Sequence, residues 1–323
     1  MKKIISLLLV LSIISSVLTG CQLGADNGED NKEESNEPIS LAGKSIIFIG
    51  NSYTHYGNVV IRKEQSVRSQ YARSFDAGYF YQLCKGNGAE VNVTNWCYGG
   101  HTLSHLFEVC SADRGCDGVI HKDDIINKYY DYVVIQGTSR SQSVSELLDT
   151  CEMVMDFFRE DNPDVKFVFL VPEQAHTAEY LWLPGVKELE NKGVTVVDWG
   201  KLVYDLINGN VSVPNATQSY NKNSFIVCKS ETDGYHPNIL TGYITALMTY
   251  CAITGESAVG QDYSFCDDTN ISDSFDFDRF KSWYYTYQNP TTNFVEIFES
   301  PSDMEGIQEL IDRYIEEKAY LKY

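Results

Sequence analysis

The stretch Ile46-Ile47-Phe48-Ile49-Gly50-Asn51-Ser52-Tyr53 joins a continuous apolar run to a glycine and a serine. A short apolar run without polar alternation is typical of a strand that is covered on both faces. Glycine permits a sharp turn and a close backbone approach, so Ser52 is expected to project from the carboxyl end of this strand. The stretch therefore predicts a buried parallel strand that ends in a candidate reactive serine.

Four more runs of this kind follow and alternate with helical patterns. The alternation predicts a doubly wound, parallel, five-stranded sheet in a three-layer α/β/α sandwich, with ligands at the carboxyl ends of the strands. The predicted strands are Ile46–Ile49, Val91–Thr94, Tyr132–Ile135, Phe167–Val171 and Val194–Val197. The predicted helices are Asp76–Lys85, Thr102–Val109, Asp123–Tyr130, Val144–Phe158, His176–Asn191, Leu202–Asn208, Ile239–Ile253 after a start at Pro237, and a last helix that carries Ile307, Leu310, Ile311, Tyr314 and Ile315.

The first 40 residues have a different composition. Lys2 and Lys3 precede an apolar and hydroxyl run from Ile4 to Val17, which is too short to span a bilayer comfortably and suits a secretory signal peptide. The run ends in Leu18-Thr19-Gly20-Cys21, which resembles the bacterial lipobox, where the cysteine is lipidated and becomes the mature N-terminus. We therefore expect a signal peptide over residues 1–20, a lipidated Cys21 with a disordered acidic tether over 21–40, and one folded domain over 41–323.

Charge excludes some partners. The chain has 323 residues and a net charge of −20. Residues 1–20 hold two lysines and no acid, and residues 21–40 hold six acids and one lysine, which leaves −17 on residues 41–323. The acidic field repels phosphate backbones, so no nucleic-acid partner is expected. Membrane contact is expected only through the lipid anchor, outside the cytoplasm, on the cell surface or the periplasmic face, and the chain is expected to be a monomer.

Eight cysteines remain once Cys21 is assigned to lipid, an even number that is typical of an exported protein with disulfides. Cys110 and Cys116 flank a short polar loop and are the first candidates for a disulfide. Cys151 and Cys251 lie in apolar helical patterns, where buried free thiols are expected. No Cys-x-x-Cys pair is present, so no zinc ribbon is predicted.

A second polar group lies far along the chain, in Asp233-Gly234-Tyr235-His236-Pro237-Asn238. An acid three residues before a histidine can accept the Nδ1 proton, which leaves Nε2 free to take a proton from a serine. Together with Ser52, this pattern resembles the first and fifth blocks of the SGNH or GDSL-type hydrolases over most of residues 44–254. The resemblance implies a flavodoxin-like fold, an esterase activity without cofactor or metal, and a triad of Ser52, Asp233 and His236.

The same resemblance implies an oxyanion hole from the Ser52 amide, a glycine amide and a third donor. The glycine is Gly99 or Gly100, and the sequence leaves this choice open. The family's asparagine is absent after the third strand, where Gln136 offers the same amide on a longer side chain. A bacterial branch of the superfamily is similar in carrying glutamine here. A residue that only pins the loop is the alternative role for Gln136.

Other polar residues have weaker patterns. Asn51, His55 and His176 are expected near the ligand edge and are candidate substrate contacts. His101 and His105 are spaced for a metal, but no third ligand is recognisable, so surface or capping roles are favoured. Trp96 is expected in the core. The acidic run Asp267–Asp278 lacks the glycine and glutamate of an EF-hand loop, which favours a solvated loop.

The expected substrate is a small-molecule or glycan ester, with an acetyl ester on an extracellular carbohydrate favoured by the resemblance and the predicted location. Two alternatives come from other classes. In the first alternative, the chain keeps the fold but has lost catalysis and binds glycan, and the missing asparagine favours this interpretation. Otherwise, the region from Asp276 to Tyr323 is presented to a protein partner, an idea that loses its motive if this region packs as a helix with its apolar stripe buried.

Overall fold

Five parallel strands form the central sheet in the order β2-β1-β3-β4-β5. The computed structural model describes residues 38–55, 57, 59–60, 78–97, 100–109, 129–136, 142–177, 180–228, 234–266 and 298–318. The strands are β1 Ser45–Gly50, β2 Asn92–Cys97, β3 Tyr132–Ile135, β4 Lys166–Leu170 and β5 Thr195–Val197, and a separate antiparallel hairpin pairs β6 Ile226–Cys228 with β7 Gly234–Pro237. The helices are α1 Ser52–His55, α2 Tyr79–Gly86, α3 Val144–Asp161, α4 Gln174–Thr177, α5 Val186–Asn191, α6 Trp199–Ile207, α7 Lys222–Phe225, α8 Ile239–Thr254 and α9 Pro301–Glu317.

The residues of β1 alternate between two hydrophobic cores. Ile46 and Phe48 join the core under α2, α6, α8 and α9, whereas Ile47 and Ile49 join the core under α3 and α5. Helices therefore cover both faces of the sheet, which confirms the predicted three-layer α/β/α sandwich. All five predicted strands are present, and their bounds agree to within one to three residues.

Strand β1 lies where the strand order reverses. Gly50 is opposite Cys97 of β2 on one side, and Ile49 is opposite Ile135 of β3 on the other. In open parallel sheets, the crevice at such a reversal is the usual ligand site. The end of β1 is therefore where the fold positions a site.

The predicted helix His176–Asn191 is wrong as a single element. Helix α4 ends at Thr177, a 3-10 turn spans Leu183–Gly185, and α5 begins only at Val186. Pro184 explains the interruption, because a proline has no N–H to donate and its ring clashes with the preceding turn of an α-helix.

Three other predictions differ in detail. Residues 129–130 are irregular rather than helical, and residues 123–128 of that predicted helix lie outside the described residues. The predicted helix Thr102–Val109 ends as a π-helix, His105–Val109. Pro237 closes β7 rather than starting a helix, since Asn238 caps α8 by accepting from the Thr241 N–H.

Helix α8 is buried almost all round, and hydroxyl groups within it are satisfied locally. Thr245 donates to the Thr241 carbonyl at 2.8 Å, and Thr249 donates to the Thr245 carbonyl at 2.6 Å. No helix among the described residues is long and apolar enough to cross a membrane. Helix α8 is a core helix in which Thr245 and Thr249 are satisfied within the helix, whereas Thr241 donates to the Phe225 carbonyl at 2.6 Å.

Cys151 and Cys251 are buried and not disulfide-bonded, as expected from their apolar patterns. Burial raises the pKa of the Cys151 thiol to about 12 and raises that of Cys251 as well, so both stay protonated near neutral pH. The predicted Cys110–Cys116 disulfide and Cys21 lie outside the described residues.

The C-terminal helix α9 completes the larger core. Met304, Ile307, Leu310 and Ile311 are all at most 1% exposed. The apolar stripe is therefore covered by the domain itself. For residues 298–318, the described part of the region from Asp276 to Tyr323, the idea of a protein partner loses its motive.

A buried carboxylate fixes the start of α9. Asp303 accepts hydrogen bonds from the Thr217 amide at 2.8 Å, the Thr217 hydroxyl at 2.6 Å, the Tyr220 hydroxyl at 2.6 Å and the Ser300 hydroxyl at 2.8 Å. Burial alone raises the pKa of this carboxyl, but the hydrogen bonds outweigh it and lower the pKa to about 2. The ionised form is the one that holds the helix in place.

We expect Asp303→Ala to lower the free energy of unfolding by about 3 kcal/mol at pH 7, because it leaves buried donors unpaired. The folded pKa lies below the usual value of 3.8, so this stabilisation is present above pH 3.8 and lost as the pH falls towards 2. Urea unfolding of the full-length chain at pH 7 and pH 2.5 measures it. Glu305→Ala, on the exposed face of α9, is the control and is expected to change the free energy by less than about 0.5 kcal/mol. An equal loss at both pH values for Asp303→Ala would contradict the role of the ionised carboxylate.

Candidate active site

The serine turn, Gly50–Thr54, carries Ser52 away from the end of β1. Ser52 begins α1 and is 9% exposed. A Cβ on Gly50 would lie 2.5 Å from the backbone oxygen of Gln136, so only glycine lets the ends of β1 and β3 approach this closely. The turn is therefore pressed against the end of β3, where the fold places the ligand crevice.

Asn51 is part of the frame of this turn. Its Nδ2 donates to the His101 carbonyl at 3.1 Å, and its Oδ1 accepts from the Tyr53 N–H at 3.1 Å. Both ends of the side chain are therefore used within the protein. This geometry favours a positioning role for Asn51 over the predicted contact with substrate.

Gln136 has two different ends. Its Oε1 accepts from the Thr54 hydroxyl at 2.8 Å and from the Asn51 N–H at 3.4 Å, and the backbone donor fixes the amide orientation. Its Nε2 is buried and has no hydrogen-bond partner among the described residues. Leaving a buried donor unpaired costs about 1–3 kcal/mol unless water or a ligand accepts from it. The oxygen pins the serine turn, as the alternative role for Gln136 predicted, and the nitrogen remains available to an acceptor.

His236 reaches the same edge of the domain from the β6–β7 hairpin. It is half-buried, and its ring stacks on the ring of Tyr53 with the centroids 5.9 Å apart and the planes 30° apart. Tyr53 follows Ser52 directly, so Ser52 and His236, which are 184 positions apart in the sequence, lie in the same part of the structure. The structure thus brings Ser52 and His236 to one place.

A glycine pair locks the serine segment to the helix that follows His236. A Cβ on Gly242 of α8 would lie 1.5 Å from the Gly57 oxygen, and a Cβ on Gly57 would lie 2.4 Å from the Gly242 Cα. The two backbones are therefore in direct contact. The sequence contained both glycines, but no local pattern predicted that they meet.

Three predicted site residues cannot be placed. Asp233 and Gly99 lie outside the described residues, and so does the side chain of His55. Gly100 is described, is exposed and has φ 77°, a left-handed conformation that favours glycine. The choice between Gly99 and Gly100 therefore stays open.

His176 is held inside the protein. Its side chain is 2% exposed, and its Nε2 lies 2.8 Å from Oδ1 of Asp198, which also caps α6 by accepting from the Lys201 N–H. The neighbouring Glu173 is buried as well, and burial raises the pKa of its carboxyl. These contacts favour a structural role for His176 over the predicted contact with substrate.

His101 and His105 pack edge to face, with centroids 4.4 Å apart. Among the described residues, no group of three or more His, Cys, Asp or Glu side chains is arranged to hold a metal ion. Trp96 is 1% exposed and packs on Phe107, as expected for a core residue.

A cavity of about 370 Å³ lies elsewhere, beside the outer strand β5. None of the predicted catalytic residues lines it. Its walls come from β5, α5, α8 and α9, namely Glu190, Gly193–Asp198, Met248, Ala252, Tyr314, Ile315 and Lys318. The cavity is therefore separate from the serine turn, which carries the candidate nucleophile.

No family model and no curated protein matches the chain. Several solved structures are similar to it. A protein described as a GDSL-like lipase from Parabacteroides merdae is 16% identical, with a TM-score of 0.47, over 67% of this chain and 98% of its own. An acetyl xylan esterase from Geobacillus stearothermophilus is 16% identical, with a TM-score of 0.45, over 67% and 97%. A family two carbohydrate esterase from Clostridium thermocellum is 18% identical, with a TM-score of 0.38, over 67% and 64%.

Proposed function

We propose that this chain is a serine esterase that acts by acyl transfer from Ser52. The observation that supports it best is the meeting of three groups at the end of β1. These are Ser52 at the start of α1, His236 against the neighbouring Tyr53, and the side-chain amide nitrogen of Gln136 just after β3. Nucleophile, base and electrophilic donor are the three parts that acyl transfer needs.

In the proposed reaction, Ser52 Oγ attacks the ester carbonyl carbon while its proton passes to Nε2 of His236. The oxyanion is held by the Ser52 amide, an amide of Gly99 or Gly100 and Nε2 of Gln136. Asp233 orients the imidazole through Nδ1. The carbon–oxygen bond then breaks, and His236 gives the proton to the leaving alcohol. Water repeats the sequence and releases the acid, so that no cofactor enters either step.

Gln136→Met is expected to lower kcat by about 10²–10³-fold while KM changes little, because an oxyanion donor acts mainly in the transition state. The matched control is Thr54→Val, which removes one donor to Gln136 Oε1 and leaves Nε2 in place. It is expected to lose less than tenfold. Steady-state kinetics on p-nitrophenyl acetate give both values. Equal losses for the two variants would assign Gln136 to pinning the turn alone.

We propose an acetyl ester on an extracellular carbohydrate as the substrate, with the chain anchored outside the cytoplasm through Cys21. The family resemblance and the predicted signal segment support this choice. The test is acetate release by the full-length chain from acetylated xylooligosaccharides, compared with hydrolysis of a p-nitrophenyl ester of a long-chain fatty acid. Preference for the long-chain ester would refute the carbohydrate assignment. Binding of the oligosaccharide with no acetate release would favour the inactive glycan-binding alternative.

A further inference from the structure

Tyr53 is fixed from three directions. Its N–H donates to Asn51 Oδ1 at 3.1 Å, and its ring lies on His236. Its hydroxyl donates to Oε1 of Gln174, and the same oxygen accepts from the Tyr180 hydroxyl at 2.9 Å. Two phenolic donors fill the two lone pairs of one amide oxygen, which holds the Tyr53 ring at a defined angle.

This arrangement links four segments of the chain around the proposed base. Gln174 begins α4 just after β4, Tyr180 precedes the 3-10 turn, and His236 lies on β7. Such a network places the face of an aromatic ring against the imidazole, and aromatic faces attract cations. The imidazole becomes a cation when it takes the proton of the nucleophile.

We propose that Tyr53 is a positioning residue for His236. Its ring, held by Gln174, sets the orientation of the imidazole and stabilises the imidazolium that forms during acyl transfer. This inference rests on the proposed function and extends it, because it assigns a role to the residue that follows the nucleophile.

Among the described elements, those with the most extensive contacts to β7 are α1, β6 and α8, and none of these three contains Asp, Glu, Lys or Arg. The predicted acid, Asp233, precedes β7 and lies outside the described residues. The titratable residues on these three elements are Tyr53, His55, Cys228, Tyr243, Tyr250 and Cys251.

Tyr53→Leu is expected to lower kcat for p-nitrophenyl acetate about tenfold with KM unchanged within about twofold. Loss of the ring removes a cation–π contact, so the acidic limb of the kcat/KM profile should move about 0.5 pH unit lower. Tyr53→Phe keeps the ring but removes the hydroxyl that Gln174 holds, so its acidic limb should lie between those of the wild type and Tyr53→Leu. Tyr129→Leu, the same change at a tyrosine that is 58% exposed, is the control.

A second readout does not depend on activity. Titration of the six histidines by NMR in the full-length chain, with the His236 signal assigned by its absence in His236→Gln, gives the imidazole pKa directly. A larger fall of the imidazole pKa in Tyr53→Leu than in Tyr53→Phe supports the positioning role, even if the wild type hydrolyses no ester and the proposed function fails. An unchanged pKa, with hydrolysis intact in the wild type, overturns the positioning role and leaves the esterase standing.

Discussion

Replacement of Ser52 by alanine is expected to lower kcat for p-nitrophenyl acetate by at least about 10⁴-fold, because the acyl-enzyme cannot form. The hydroxyl lies at the start of α1, and the other proposed groups depend on it to act. The fold should survive, because the change removes only the Ser52 hydroxyl. The hydrogen bonds of Asn51, Thr54 and Gln136 that hold this turn do not involve it. Steady-state rates and thermal unfolding of the same preparation test both statements.

A matched control and a covalent label sharpen this test. Ser145→Ala, in the exposed first turn of α3, should hydrolyse ester at the wild-type rate. A fluorophosphonate should label wild type on the peptide that contains Ser52 and should leave Ser52→Ala unlabelled. Hydrolysis by Ser52→Ala at the wild-type rate would refute the esterase mechanism outright.

Gly242→Ala is expected to be the most damaging conservative change to the fold. An alanine in a helix interior normally stabilises by up to about 1 kcal/mol relative to glycine. Here the new methyl would lie 1.5 Å from the Gly57 oxygen, and because that atom is backbone, no side-chain rotation relieves the overlap. We expect roughly 3 kcal/mol of destabilisation and at least a tenfold loss of hydrolysis, since the segment that follows Ser52 must move.

Gly86→Ala provides the comparison for that substitution. Gly86 ends α2, and the nearest atom to an added Cβ is 4.0 Å away on Asp262. This variant should be as stable as wild type or more so, and fully active. If Gly242→Ala unfolds at the same urea concentration as Gly86→Ala, the contact between Gly57 and Gly242 does not constrain the site.

The sheet could be predicted because its strands are continuous apolar runs, a signal that depends on neighbours along the chain. The hairpin β6–β7 was missed because β7, Gly234–Pro237, is not an apolar run and ends in a proline. The interruption at Pro184 was missed because apolar residues on both sides keep helical spacing. Local pattern thus predicts continuous apolar strands well and predicts strands of mixed composition poorly.

The site was predictable only in part. Ser52 follows an apolar strand and His236 precedes an apolar helix, and in the structure His236 stacks on Tyr53, the residue after Ser52. Gln174 and Gly242 carry no local signal, because their roles depend on a hydrogen bond across 121 residues and on a backbone contact between distant segments. The sequence identified Gln136 as a candidate amide donor. Only the positions of Asn51 and Thr54 show that its side-chain oxygen accepts their hydrogen bonds, which leaves the nitrogen for another acceptor.

The position of α9 in the chain affects how the protein is made. Roughly 250 residues separate β1 from α9, yet Met304 and Ile307 close the same core that contains Ile46 and Phe48. Ribosomes add about 5–20 residues per second, so the first strand waits on the order of 10–50 s for the helix that covers its core. During that interval, the face of β1 that carries Ile46 and Phe48 lacks the last helix of its core, so the larger of the two cores is completed only when α9 has been made.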